Sequence, residues 1–255
     1  MTPLVRSALD LPFRPAKPRA TGITMVIDNG LPTGSFRDHV ASTAELIDVV
    51  KFGWGTVVAT PDIGTKIAVL EEHGIDFFFG GTLFEKHVLQ DRFDDYQAFC
   101  RGWGCRVVEV SNGTVALSNE EKASYVAKLA GEFSVLSEVG LKDTARSERM
   151  EAWDWVEYIR QDLDAGASLV IAEARESGRS GICHPDGGLR RDLVEGILAA
   201  VPDVEKMVFE APTKDLQTWF VRRVGANVNL GNIGPGDVLG LETLRLGLRS
   251  DTLLL

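Results

Sequence analysis

The sequence has 255 residues, of which 44% are hydrophobic, so the chain is long enough to bury a substantial core. Acidic residues outnumber basic residues by 37 to 27, and the resulting net charge of -10 argues against nucleic acid as a partner, because phosphate binding needs a concentrated basic face. The three cysteines lack zinc-type spacing and indicate reduced structural thiols, which favours a cytoplasmic location.

The first 16 residues contain three prolines and two arginines around a short apolar patch. This stretch is too broken for a signal sequence or a membrane span, so it predicts an irregular N-terminal arm and no membrane partner. No linker-like composition interrupts the rest of the chain. Residues 17–255 are therefore predicted to form one domain.

Eight short β-rich segments recur at a spacing typical of βα units. Each is bounded by turn residues, and amphipathic helical segments fill the intervals. The predicted strands are ITMVID (23–28), IDVVKFG (47–53), IDFFFGG (75–81), CRVVEVSNG (105–113), FSVLSEVG (133–140), SLVIAEARESG (168–178), KMVFEAP (206–212) and ANVNLGNI (226–233).

Three of the helical segments carry clear signals. Asp62 can cap a helix that ends at Gly74, and Ser118 with Glu121 forms a capping box. In the segment 147–166, helical spacing predicts a buried face formed by Trp153, Val156, Ile159 and Leu163. About eight βα units predict a (β/α)8 barrel of the α/β class; a doubly wound open sheet shares the local pattern, but the count favours the barrel.

Ionisable or amide residues sit toward the carboxyl end of the predicted strands. In a barrel these ends share one rim, where catalytic residues lie. For any single glutamate, a structural salt bridge is an alternative explanation. Four or five clustered carboxylates, however, need cations or a metal to neutralise them. The residues are Asp28, Lys51, Glu109, Glu138, Glu173, Glu210 and Asn229.

The candidate cations are Lys51, Lys142 and Arg175. No histidine accompanies the carboxylates, and this composition favours a hard, oxygen-liking ion such as Mg²⁺. Two glycine-rich stretches could bind an anion through backbone N–H groups: GGTLFE, with Gly81 and Thr82, and NLGNIGPGDVLGLE, which follows the last predicted strand. A tight loop that needs positive φ angles is the alternative for the second stretch.

Nine blocks of the sequence resemble the phosphosulfolactate synthase family, in nearly the same order and spacing from about residue 17 to residue 252. They are ITMVIDNG, DVVKFGWGT, GGTLFE, VVEVSNGT, SEVGLK, IAEARESG, FEAPTK, VNLGNI and LETLRLGLRSDT.

The resemblance implies a (β/α)8 barrel that adds sulfite to phosphoenolpyruvate with Mg²⁺ and makes phosphosulfolactate for coenzyme M synthesis. It implies that four glutamates either bind the metal directly or orient the residues that do: Glu109, Glu138, Glu173 and Glu210. Lys142 aligns with the family's proposed proton donor, and Lys51 and Arg175 would hold anionic groups. The implied substrate-binding residues are Asp28, Trp54, Gly81, Thr82, Ser111, Asn229, Gly231 and Asn232.

The sequence also departs from the family pattern. Archaeal members commonly have a lysine where this chain has Asn29, another where it has Leu141, and an aspartate where it has Asn112. Two alternatives therefore stay open: sulfite addition to an unphosphorylated unsaturated acid such as fumarate, or a non-catalytic barrel related to the plant heat-stress proteins. The apolar C-terminal segment TLLL could support a homo-oligomer.

Overall fold

The computed structural model describes residues 8–141 and 147–254. Their strands form one parallel sheet in the order β3-β2-β1-β8-β7-β6-β5-β4. The end strands β3 and β4 lie side by side, so the sheet is nearly closed and the predicted (β/α)8 barrel is confirmed, whereas the open-sheet alternative is wrong. The strands are β1 Thr24–Asp28, β2 Val49–Phe52, β3 Asp76–Phe79, β4 Val107–Val110, β5 Ser134–Val139, β6 Leu169–Ala172, β7 Met207–Glu210 and β8 Leu230–Ile233.

Helices surround the sheet and connect successive strands. Their apolar faces and the outward faces of the strands form the larger of two hydrophobic clusters. Within the described residues the helices are α1 Thr33–Thr43, α2 Thr56–Ala59, α3 Ile63–Glu72, α4 Gly81–Leu89, α5 Phe93–Gly102, α6 Asn119–Ala130, α7 Ala152–Asp164, α8 Arg191–Ala200, α9 Lys214–Val224 and α10 Val238–Arg245.

The inside of the barrel is apolar toward the amino ends of the strands and charged toward their carboxyl ends. Inward-facing side chains recur at every second position of a strand, so one strand contributes an apolar residue and then an ionisable residue to the same face. The apolar layer includes Val49, Val107, Leu136, Ile171 and Val208. Two positions further along each segment are Lys51, Glu109, Glu138, Glu173 and Glu210, all buried. The apolar layer thus forms the floor of a charged cluster at the carboxyl ends of the strands.

The predicted helix signals have mixed outcomes. The capping box of Ser118 and Glu121 at the start of α6 is confirmed. Asp62 is the N-cap residue of α3 and the helix ends just before Gly74, as predicted, but the Asp62 side chain makes no capping hydrogen bond. The predicted buried face of α7 is wrong at Trp153, which is 70% exposed, whereas Trp155 is fully buried. At 3.6 residues per turn the two tryptophans lie about 200° apart around the helix, so only one of them can face the sheet.

Residues 8–22 contain no helix or strand. Arg14 fixes this part of the chain to the amino-terminal end of the barrel: its guanidinium pairs with Glu242 at 3.0 Å and donates to Asn227 Oδ1 at 2.6 Å. Among the described residues, none of the helices has the length and apolar character needed to cross a membrane.

Candidate active site

A recess opens at the carboxyl ends of the strands, with about 480 Å³ of empty space that includes its open mouth. This is the rim where barrels of this kind carry their chemistry. Five glutamates and two cations line it, together with small and apolar residues. The lining residues are Ile27, Lys51, Gly53, Trp54, Gly80, Gly81, Thr82, Glu109, Glu138, Glu173, Arg175, Glu176, Glu210 and Asn232.

Lys51 lies at the centre of the charged cluster. Its Nζ atom is 2.9 Å from Glu109 Oε2, 3.4 Å from Glu210 Oε1 and 3.5 Å from Glu138 Oε2. Strands β2, β4, β5 and β7 therefore each contribute one member of a single ionic cluster. A lone buried ammonium would cost several kcal/mol, and the three carboxylates offset that cost.

The pKa values of Lys51 and Glu109 are both raised in this cluster, but for different physical reasons. Burial alone would lower the pKa of Lys51, but attraction to Glu109, Glu138 and Glu210 holds the pKa of the ammonium well above its ordinary value. Burial raises the pKa of Glu109 to about 7; Lys51 opposes the shift, and repulsion from Glu138 adds to it. One carboxyl of the cluster therefore titrates near neutral pH.

Backbone amides fix two of the glutamates. Glu109 Oε1 accepts a hydrogen bond from the N–H of Gly81 at 2.6 Å, at the first residue of α4. Glu210 Oε2 accepts from the N–H of Ala174 at 2.9 Å. The anion at the glycine-rich turn of GGTLFE is thus the protein's own carboxylate, and the positive end of α4 stabilises its charge.

The backbone around the recess is strained. Trp54, Arg175 and Asn232 have φ angles of 52°, 57° and 53°, and they are three of the four non-glycine residues with positive φ in the described part of the chain. Such conformations cost free energy and persist where the surroundings impose them, often at functional sites. Trp54 and Arg175 remain exposed at the mouth, whereas Asn232 is buried.

Several predicted site residues lie together in the recess: Lys51, Trp54, Gly81, Thr82, Glu109, Glu138, Glu173, Arg175, Glu210 and Asn232. Two others, Asp28 and Ser111, are near the rim but bond elsewhere. Asp28 pairs with Lys66 and accepts from the N–H groups of Gly30 and Leu31. Ser111 donates to Glu85.

Two predicted positions need correction. Asn229 precedes β8, so it lies at the amino-terminal end of the barrel; its amide donates to the carbonyls of Glu205 and Met207. Gly231 lies within β8, inside the predicted strand 226–233, but it is not among the residues that line the recess, and a Cβ there would meet Val208 at 3.2 Å. Lys142, the predicted proton donor, lies outside the described residues.

Three charged residues near the barrel interior were not among the candidates named from the sequence. Glu176 lines the recess four residues beyond the end of β6. Lys66 and Lys122 are fully buried in ion pairs behind the strands. The signal for both lysines was present, because each lies on the apolar face of its helix, where a charged side chain needs a buried partner.

The oxygen donors of the recess suit Mg²⁺. Asn232 Oδ1 is buried and has no hydrogen-bond partner among the described residues. No three His, Cys, Asp or Glu side chains in that part of the chain are already spaced to hold a metal ion, and the Lys51 ammonium lies between three of the carboxylates. Mg²⁺ commonly uses one or two carboxylates and takes its other oxygens from water and substrate. The residues therefore fit an ion that completes its coordination with water, and with substrate oxygens once a substrate is bound.

Comparison with known proteins identifies close relatives. Residues 12–251 match the family model described as (2R)-phospho-3-sulfolactate synthase. The phosphosulfolactate synthase of Bacillus subtilis (strain 168) is 50% identical over 248 residues, covering 97% of this chain and 98% of that protein. The phosphosulfolactate synthase of Methanothermobacter thermautotrophicus is 41% identical over 246 residues, covering 95% of each chain.

Solved structures share the architecture at much lower identity. A crystal structure of 3-hexulose-6-phosphate synthase superposes with a TM-score of 0.54 at 14% identity, covering 88% of this chain and 100% of that one. At this identity the likeness supports the barrel fold and nothing more specific.

Proposed function

Because the chain belongs to the phosphosulfolactate synthase family, we propose that it catalyses the addition of sulfite to phosphoenolpyruvate, with Mg²⁺ as cofactor, to form phosphosulfolactate. The main structural support for this proposal is the buried ionic cluster in the recess, formed by Lys51 with Glu109, Glu138 and Glu210. A cytoplasmic location and a homo-oligomeric state are kept as predictions.

The charge of the recess supports a need for a divalent cation. Five glutamates and two cations line it, and one of those cations, Lys51, already faces three carboxylates. Sulfite and phosphoenolpyruvate are both anions, so each would meet net repulsion in this recess. A cation that binds with the substrate removes that repulsion.

The proposed reaction forms a C–S bond and a C–H bond, and it breaks the C=C π bond of the acceptor and the bond between the transferred proton and its donor. The sulfur lone pair of sulfite attacks the terminal carbon of phosphoenolpyruvate and forms the C–S bond. The π electrons of the double bond move toward the carboxylate, and a proton is then delivered to the carbon that bears the phosphate. The phosphate ester stays intact, and no oxidant or reductant is needed.

The chain's own residues set the electrostatics of these steps. Bound Mg²⁺ would supply Lewis acidity toward the substrate carboxylate, held by carboxylates of the recess and by Asn232 Oδ1. Lys51 stays protonated, so it limits the repulsion between the glutamates and an incoming anion. Arg175 offers a planar guanidinium at the mouth, a shape that suits the oxygens of sulfite or phosphate.

The proton donor is proposed to be Lys142. This assignment rests on the family resemblance alone, since the residue lies outside the described part of the chain. A lysine near other cations can have a lowered pKa and act as a general acid.

A second acceptor is motivated by Asn29, which replaces a lysine of the family pattern. Its amide oxygen is buried without a hydrogen-bond partner among the described residues, and an amide gives no charge to hold a phosphate. An unphosphorylated unsaturated acid such as fumarate carries a singly charged carboxylate in place of the more highly charged phosphate, so it would need less positive charge at that position.

One assay separates these possibilities. The purified protein is incubated with sulfite, Mg²⁺ and either phosphoenolpyruvate or fumarate, and the sulfonate product is measured by mass spectrometry. Product from phosphoenolpyruvate supports the proposed function, and product from fumarate alone supports the second acceptor. No sulfonate from either acid, or from a wider panel, would favour a non-catalytic barrel.

A further inference from the structure

A second ionic cluster lies behind strand β5, between the sheet and helices α6 and α7. Lys122 Nζ is 2.7 Å from Asp162 Oδ2, and both side chains are completely buried. The same carboxylate oxygen accepts the Ser137 hydroxyl at 2.7 Å. Lys122 also donates to the backbone carbonyl of Glu138 at 2.9 Å. This set of Lys122, Asp162 and Ser137 is called the rear cluster below.

Lys122 and Asp162 hydrogen-bond to two consecutive residues of β5, Ser137 and Glu138, at the point where the strand leads into the recess. Ser137 faces the helices, and Glu138, the next residue, faces the barrel interior, because successive side chains of a strand alternate. The hydroxyl of one residue and the carbonyl of the next are therefore both tied to a single ion pair. This arrangement fixes the rotation and height of the strand at the point where Glu138 enters the recess.

Stability alone does not require such a cluster. Replacing a buried ion pair with well-packed apolar residues is often neutral or stabilising, whereas removing one partner is strongly destabilising. Elsewhere, α6 and α7 pack on the sheet through apolar side chains such as Val126, Leu129, Trp155 and Ile159. The directional polar contacts of the rear cluster are therefore better explained by a role in positioning strand β5.

We propose that Lys122 and Asp162 are positioning residues that hold the Glu138 carboxylate in register for a divalent cation and the substrate. The inference rests on the proposed function, in which the glutamates of the recess hold that cation. Partners that orient metal-binding side chains typically change metal affinity or activity by about 10-fold to 100-fold when mutated.

The test separates positioning from stability by comparing two kinds of change. Lys122→Met leaves the buried Asp162 carboxylate without its cation, and the Tm of this variant should fall by roughly 10 °C. The triple variant Ser137→Ala, Lys122→Met and Asp162→Leu removes every charge of the rear cluster. Its Tm should return to near the wild-type value, but its kcat should stay about 10-fold or more below wild type.

The direct readout is the binding of Mn²⁺ alone, as a probe for the cation site, measured by the loss of the free-ion EPR signal. The triple variant should raise the Mn²⁺ dissociation constant about 10-fold. Leu129→Ala, on the same helix, is the matched control: it should lower Tm without changing kcat at 25 °C or the Mn²⁺ dissociation constant. Ser137→Ala alone, which removes a single hydroxyl, keeps the test open should the triple variant fail to fold, and it should weaken Mn²⁺ binding by roughly threefold.

The outcomes are distinct. A triple variant or Ser137→Ala variant with wild-type Mn²⁺ affinity would overturn the positioning role, as would a wild-type protein that binds no Mn²⁺. Absence of any sulfonate product from a wild-type protein that binds Mn²⁺ would overturn the proposed function, and the Mn²⁺ comparison would still decide the role of the rear cluster.

Discussion

The ammonium of Lys51 lies 2.9 Å from the carboxylate of Glu109, and both side chains are buried beneath the mouth of the barrel. They come from β2 and β4, two strands that do not pair with each other. Only the closure of the sheet brings them together. The ion pair therefore depends on the whole barrel, and it joins the fold directly to the proposed chemistry.

Removing the charge of Lys51 should damage both activity and stability. Lys51→Met leaves three buried carboxylates without their shared cation, so we expect a loss of about 3–5 kcal/mol in the free energy of unfolding. Turnover should fall by roughly 100-fold or more, because the recess becomes more repulsive to anions. Urea unfolding and product formation measure the two effects. Lys206→Met, at an exposed position, is the control and should change neither; a Lys51→Met enzyme with normal turnover would contradict the role given to this residue.

Glu109 should make the stability of the metal-free protein depend on pH. Burial raises the pKa of Glu109 to about 7 in the folded state, above the value of about 4.3 expected in the unfolded chain. The folded state then binds more protons than the unfolded state between these values. This group's contribution to stability is complete below about pH 4 and is lost as the pH rises through 7, by on the order of 3 kcal/mol.

The variant Glu109→Gln isolates that contribution. Its free energy of unfolding, measured in urea with EDTA at pH 5 and pH 7.5, should fall less between the two pH values than that of the wild type. Burial also raises the pKa of Asp48 and Asp162, so the wild-type slope contains other groups, and only the difference between the two proteins reports Glu109. Equal slopes would contradict the assigned titration.

Gly81 should tolerate no side chain. A Cβ at this position would lie 2.7 Å from Glu109 Oε1 and would also contact the Ser111 hydroxyl, so Gly81→Ala must displace the glutamate or the start of α4. We expect turnover to fall at least 10-fold, since small displacements of catalytic groups carry large penalties. Gly102→Ala, at the end of α5 with open space around it, is the matched control. The control should keep full activity and gain up to about 1 kcal/mol of stability.

Arg175 should affect substrate binding rather than folding. Its side chain is exposed at the mouth, so Arg175→Lys should leave Tm within a few degrees of the wild-type value. The KM for sulfite or for the acceptor acid should rise roughly 10-fold, because an ammonium cannot match the two-pronged contact of a guanidinium with an oxyanion. The same substitution at Arg179, exposed in the same connection, provides the control. If the Arg175→Lys and Arg179→Lys variants have the same KM values, the prediction that Arg175 contacts the substrate is wrong.

Much of the fold could be predicted because the pattern that encodes it is local. Each strand segment and the capping box of Ser118 follow from residues close together in sequence. The convergence of Lys51 with Glu109, Glu138 and Glu210 also follows, once parallel strands are assumed, because their carboxyl ends share one rim.

The errors came from details that local pattern does not fix. Trp153 and Trp155 both fit a helix, but they lie about 200° apart around its axis, and the packing of α7 on the sheet decides which one is buried. Asn229 was assigned to the wrong end of the barrel because β8 begins one residue after it, and its amide satisfies backbone carbonyls there. The bond from Gly81 to Glu109 joins two distant segments, so only the folded chain reveals it.

The cluster of Lys51, Glu109, Glu138 and Glu210 is proposed to catalyse cation-dependent C–S bond formation on phosphoenolpyruvate. The decisive experiment is ³¹P NMR of phosphoenolpyruvate with sulfite and enzyme, in Mg²⁺ and again after excess EDTA. We predict that the enol phosphate signal is replaced by that of an alkyl phosphate ester in Mg²⁺, and that EDTA stops the conversion. An unchanged enol phosphate signal in Mg²⁺, or conversion that continues undiminished in EDTA, would contradict this function.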